Sequence, residues 1–177
     1  MTPKAKRPWE DIDPTVWLDD DGTPWMSWGN GDCYLVKLKP SMIELDGSIE
    51  KLDLPHYVEG PWLYKHHKLY YLVYAAIVRP VGSEQIAYAT AENITGPWTY
   101  RGLITGPAKN SFTIHPGVIE FKGQSYFFYH FAGLTLNGER GALGRRAVCM
   151  EYLEYNPDGT IKPITQTVEG VSMPPKK

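Results

Sequence analysis

Residues 63 to 74 read LYKHHKLYYLVY, an apolar run, a polar turn from Lys65 to Lys68, and a second apolar run with tyrosines at 71 and 74. Two aromatic and β-branched runs around a short polar turn are a hairpin signal. The same pattern stands at WLDDDGTPWMSW (17 to 28) and IEFKGQSYFFYH (119 to 130). Trp25 and Trp28, Tyr71 and Tyr74, and Tyr126 and Tyr129 align at spacings of 46 residues (25 to 71) and 55 residues (71 to 126). A period of that size suits a four-stranded propeller blade.

Further strands are predicted at CYLVKL (33 to 38), QIAYAT (85 to 90) and VCMEYLEY (148 to 155), with turns at ITGPW (94 to 98) and PDG (157 to 159). Helical periodicity is hard to find, so the chain is predicted to be all-β. The repeat divides it into blades over residues 9–55, 56–108 and 109–172 of one partial propeller domain. Just before each hairpin stands a polar residue next to a Pro or Gly-Pro: Asp13-Pro14, Glu59-Gly60-Pro61 and His115-Pro116, separated by 46 and 56 residues. The first strand of a propeller blade lines the central channel. These three side chains are therefore expected to converge on the axis.

Composition narrows the choice of ligand. The 177 residues are 42% hydrophobic and carry a net charge of −2 without long runs of one sign. That length supports a core, and the charge gives no reason to expect nucleic acid or a membrane as partner. Aromatic residues make up 13% of the chain, with six Trp and twelve Tyr, which suits sugar stacking as well as core packing. Cys33 and Cys149 lie far apart with no second thiol or His at metal spacing, and both are expected to be buried apolar residues. The start, MTPKAKRPWED, has no apolar segment behind its basic residues. No export signal is expected in the chain as given, which would place it in the cytoplasm or make it a fragment of a secreted parent.

Inverting glycoside hydrolysis uses one carboxylic acid to protonate the leaving oxygen and one carboxylate to activate water. Glu59 suits the acid: Tyr57, Val58, Pro61 and Trp62 would desolvate it and raise its pKa. A Glu bonding a backbone turn explains the same letters. Asp13 before a Pro is a common turn initiator, yet its repeat position brings it to Glu59, where a second charge would keep the acid protonated. His115 reads as a hydrogen-bonded core His or as a group near an axial cation or water. Arg146, opening a strand, can hold a sugar hydroxyl by charge-assisted bonds or make a plain surface pair, as can Arg145. The run Asp19-Asp20-Asp21-Gly22 lacks the ligand spacing of a calcium loop and is predicted to be a hairpin turn.

DIDPTVWLDDDG, YVEGPWLYK with KLYYLVYAA, SFTIHPGVIEFKGQSYFFYH and RRAVCMEYLEYNPDGTI together resemble glycoside hydrolase family 43 from about residue 9 onward. Members are five-bladed propeller enzymes acting on arabinose- and xylose-containing polymers, and the likeness is to arabinoxylan arabinofuranohydrolases and related β-xylosidases. The resemblance implies that Glu59 is the general acid and Asp13 the carboxylate that tunes and orients it. It implies that His115 stands near a central calcium or its waters, and that Arg146 reaches the substrate. Trp62, beside the acid, is expected to be a further sugar contact. No organic cofactor is implied. An arabinose- or xylose-containing oligosaccharide is the expected partner, and a non-catalytic carbohydrate-binding propeller is the alternative.

The family's general-base Asp lies in a blade well before the Asp13 motif, where this chain has twelve residues. About two N-terminal blades, with the base, are therefore expected to be absent, since closed propellers use about four to eight. Ile114 departs from the polar residue that often precedes the family's histidine. Open blade edges are an aggregation liability, so a homo-oligomer is expected.

Overall fold

The computed structural model describes Arg7 and residues 9–172. Among these residues, eleven strands form three antiparallel sheets. The first sheet holds β1 (Thr15–Leu18), β2 (Pro24–Trp28), β3 (Cys33–Lys37) and β4 (Glu50–Leu52) in chain order. In the second, β5 (Tyr57–His66), β6 (Leu69–Ala76), β7 (Gln85–Ala91) and β8 (Thr99–Thr105) again pair in chain order. The third holds β9 (Gly117–Phe121), β10 (Gln124–Phe131) and β11 (Ala147–Leu153).

Each sheet is a meander, as a propeller blade is, and each aligned hairpin forms the first two strands of one. The third sheet has three strands among the described residues, one fewer than the repeat predicts. After β11 the chain doubles back instead: Tyr155 bridges Ile161, and the Ile164 N–H reaches the Ile104 carbonyl of β8 at 2.7 Å. Residues 155–164 thus lie against the second sheet, and the chain returns to its own sheet at Thr167, whose N–H and hydroxyl both bond the Glu151 carboxylate of β11 at 2.8 Å.

Side-chain direction explains why the aromatics recur three apart. Successive residues of a strand point to opposite faces, so a spacing of three serves both faces. Tyr71 and Val73 of β6 enter a core with Ile114, Val118 and Phe127 from the third blade. Tyr70, Leu72 and Tyr74 enter another with Cys33, Leu35 and Leu52 from the first. The second blade is packed on both faces, and β6 and β7 read as nearly continuous buried runs. In contrast, β10 alternates strictly between buried and half-buried residues, as a strand covered on one face should.

The acidic run at residues 19–21 is the β1–β2 turn, as predicted. The Gly22 N–H bonds the Asp19 carbonyl at 2.8 Å, and the Asp21 carboxylate accepts the Thr23 N–H at 2.8 Å. Asp19 also accepts the Tyr70 hydroxyl at 2.7 Å, which occupies it structurally. Cys33 is buried, and burial pushes its thiol up to about 12. Cys149, expected to be buried, is only half-buried: it packs against the core shared by the second and third blades near the less enclosed start of β11. Both thiols are free.

Candidate active site

Three chain segments deliver the site. Asp13 ends the approach to β1, Glu59 lies at the start of β5, and His115 precedes β9. These inner strands pack side by side, β1 on β5 and β5 on β9, so equivalent repeat positions become spatial neighbours. Asp13 has a φ of +55°, a region that Asp enters more readily than most residues. The β5–β6 register slips on both sides of Glu59, and such a bulge re-aims a side chain. Gly60 follows with φ +61°, and a Cβ there would stand 3.1 Å from the Cγ of His115. The Glu-Gly-Pro sequence therefore bends the strand and leaves room for the imidazole.

The expected convergence is found. His115 Nε2 donates to Glu59 Oε1 at 2.9 Å and stands 4.0 Å from Asp13 Oδ2. The other Glu59 oxygen, Oε2, accepts from the side-chain amide of Asn30 in the β2–β3 turn. That turn is fastened to the start of β5, since the Gly31 N–H bonds the Val58 carbonyl at 2.7 Å and the Tyr57 hydroxyl bonds the Gly29 carbonyl at 2.7 Å. The side chains are mostly enclosed: Glu59 is 13% exposed, Asp13 28% and His115 29%.

Charge is distributed differently from the sequence-based expectation. Desolvation was expected to raise Glu59, but its hydrogen bond from His115 outweighs burial and lowers it below the ordinary carboxylate range. The same bond raises His115 above its ordinary value, and the charges of Asp13 and Glu59 add to this against the effect of burial. Asp13 is raised, chiefly by burial, with the charge of Glu59 adding to it and His115 opposing. Its Oδ2 is buried without a hydrogen-bond partner among the described residues.

A third acid was not singled out from the sequence. Glu84, one residue before β7, is buried, and its Oε2 accepts the N–H of Ile114 at 2.9 Å. Its carboxyl group is also in hydrogen-bonding contact with Glu59, and burial pushes it up to about 7. Ile114, the departure noted above, is wholly buried and gives its backbone N–H to this contact.

Arg146 and Trp62 lie at the periphery. Arg146 is exposed just before β11, and its Nη2 donates to the Thr113 hydroxyl at 2.9 Å. That hydroxyl also meets His130 Nε2 at 3.1 Å, while burial, helped by the charge of Arg146, brings His130 down to about 4. Trp62 sends its indole N–H to the Val118 carbonyl at 3.0 Å, joining β5 to β9. Its ring borders a cavity of about 420 Å³ whose wall continues through His115, Pro116, Phe128 and His130. Glu59 is not part of that wall, and His115 connects the two places.

Asp13, Glu59 and His115 offer three ligand atoms within 4.8 Å of one another. Calcium takes about six to eight oxygen ligands, and here one donor is an imidazole nitrogen already bonded to one of the carboxylates. These three side chains do not fit a directly bound calcium.

Residues 1–161 match the family described as "Glycosyl hydrolases family 43". The chain is 31% identical over 166 residues to the β-D-galactofuranosidase xynD of Aspergillus niger, covering 92% of this chain and 48% of that protein. It is 28% identical to the arabinoxylan arabinofuranohydrolase of Bacillus subtilis, covering 91% of this chain and 36% of the relative. Among solved structures, an α-L-arabinofuranosidase from Clostridium thermocellum superposes with a TM-score of 0.76 at 30% identity, over 92% of this chain and 55% of that one. A β-xylosidase/α-arabinofuranosidase from a compost metagenome, solved with xylotriose in a calcium-free form, gives 0.76 at 25% identity over 87% and 58%. The chain thus spans about half the length, or less, of the curated relatives named here. With three propeller-type sheets and a match over nearly its whole length, the chain belongs to glycosyl hydrolase family 43.

Proposed function

We propose that this chain carries the acid-bearing part of an inverting glycoside hydrolase site for arabinofuranosyl or xylosyl linkages of plant hemicellulose. The observation that carries the reading is the meeting of Asp13, Glu59 and His115 from equivalent positions of three successive repeats. Glu59 is the proton donor to the leaving oxygen. Asp13 orients and tunes it, and it is not the base of an inverting pair. Its ligand oxygen lies within 4.8 Å of that of Glu59, whereas the attacking water needs carboxyl groups about 6.5–9.5 Å apart. Arg146 and Trp62 are the proposed sugar contacts, one by charge-assisted hydrogen bonds and one by its ring face.

Hydrolysis of aryl α-L-arabinofuranoside and aryl β-D-xyloside by the purified chain, beside Glu59→Gln prepared in parallel, tests the reading. Turnover that vanishes in the variant supports it. Equal silence of both proteins under conditions where each is folded overturns catalysis by this chain.

A non-catalytic reading has its own support. A carboxylate held ionised by His115 and Asn30 is a good acceptor for a sugar hydroxyl. Xylo-oligosaccharide binding that persists without turnover, measured by calorimetry, would favour it.

We also propose that the chain forms a homo-oligomer. Val16 and Leu18 on β1, at one end of the series of sheets, and Ile119, Phe121 and Val148, at the other, expose large apolar side chains. A second copy can cover both ends, and sedimentation equilibrium distinguishes that assembly from a monomer.

A further inference from the structure

Glu84 has no part in the reading above, yet it is the most enclosed acid beside Glu59. Only 6% of the residue is exposed. Its own N–H bonds the Phe112 carbonyl at 3.0 Å and its Oε2 takes the Ile114 N–H at 2.9 Å, so it is clamped to the segment that ends in His115. The carboxyl also meets that of Glu59. Two carboxyl groups in contact cannot both ionise without strong repulsion, so a proton lies between them. Glu59 already accepts from His115 on Oε1 and from Asn30 on Oε2, and both bonds favour its ionised form. The shared proton therefore belongs to Glu84, which sits deeper.

We propose that Glu84 is a positioning residue for Glu59: a buried carboxylic acid whose O–H holds the Glu59 carboxylate in place and passes it the proton destined for the leaving oxygen. The second half of this statement rests on Glu59 being the general acid. In the transfer the O–H bond of Glu84 breaks as that of Glu59 forms. The negative charge moves to Glu84, where the Ile114 N–H already faces it, and solvent water restores the proton after product leaves. Other groups whose charge bears on the pair are Asp13 before β1, Tyr57 on β5, His115 before β9, His130 on β10 and, acting on Asp13 and His130, Arg146 before β11. Tyr57 is held neutral by burial, and burial likewise keeps His130 neutral above about 4. Asp13, His115 and Arg146 are thus the remaining groups whose charge bears on the pair.

Carbon-detected NMR of the side-chain carboxyl groups, titrated in the wild type and in Glu84→Gln, tests this without any need for turnover. In the wild type the Glu84 carbon is expected to titrate at about 7 and the Glu59 carbon to follow that step. In Glu84→Gln the amide can still accept from Ile114 and donate to Glu59, so Glu59 should keep its place but lose the neutral step. Imidazole signals of His115 in the same samples identify its own step. A wild-type Glu84 carbon that titrates only in the ordinary acidic range overturns the proposal, and so does a Glu59 curve that Glu84→Gln leaves unchanged. Should the variant fail to fold, the wild-type titration alone decides. A shared step in a protein without glycosidase activity would sink the hydrolase reading and leave the positioning of Glu59 intact, whereas turnover with an unchanged Glu59 curve would do the reverse.

Discussion

His115 Nε2 reaches Glu59 Oε1 across 2.9 Å, and that bond joins the second blade to the segment entering the third. His115 is raised, so its stabilising contribution is complete below its ordinary value of 6.5 and is lost as pH rises through the higher folded value. Glu59 is lowered, so its contribution is complete above 4.5 and is lost as pH falls through the lower folded value. Their bond should therefore stabilise the fold most between those two ordinary values. Urea unfolding of wild type and His115→Gln across pH is expected to differ there by about 1.5–3 kcal/mol, the size of a hydrogen bond to a charged group, and to converge on both sides. A difference independent of pH would contradict the ion pair.

Gly60 has a φ of +61° and little space above its Cα, with the His115 ring 3.1 Å from where a Cβ would stand. Gly60→Ala should cost about 1–3 kcal/mol of stability, as left-handed backbone is strained for a residue with a side chain. The imidazole must also shift, so the variant's His115 ring should titrate closer to its ordinary value. Thermal unfolding and NMR of the ring protons check the two effects separately.

The Trp62 indole carries both a ring wall and a bond to the Val118 carbonyl. Trp62→Phe keeps a ring and drops the bond, and is expected to lower stability by about 1–3 kcal/mol because the enclosed carbonyl loses its donor. Oligosaccharide affinity should change little in Trp62→Phe and fall in Trp62→Ala if the ring stacks on sugar. Calorimetric titration with xylotriose distinguishes these outcomes.

Tyr71 is fully buried, and its hydroxyl donates to the Gly159 carbonyl at 2.6 Å, holding the segment after β11 against the second blade. Tyr71→Phe should cost about 1 kcal/mol. Faster hydrogen exchange is expected at Ile161 and Ile164, whose N–H groups bond the Tyr88 hydroxyl and the Ile104 carbonyl. Unchanged exchange there would mean that the hydroxyl does not hold this segment.

The hairpins were legible in the sequence because their signals are local. Turn residues between aromatic runs set each strand pair, and the spacing of the repeats set the blades apart. Asp13, Glu59 and His115 could be read together for the same reason: equivalent repeat positions become neighbours once the inner strands pack. Glu84 carried no such sign. In VGSEQ it reads as a loop acid, and only docking of the 112–114 segment encloses it.

Sequence alone thus determined the all-β repeat and which residues would meet, because strand periodicity and turn chemistry act over a few residues and a repeat carries them through the chain. Tertiary structure decided in which direction Glu59 is shifted. Desolvation read from the neighbours of Glu59 pointed upward, yet the 2.9 Å bond from His115 outweighs it and holds the carboxyl below its ordinary value. It also decided that the chain after β11 turns back to the second blade. Electrostatic and hydrogen-bond energies depend on distances between groups far apart in the chain, and only the packed sheets set those distances.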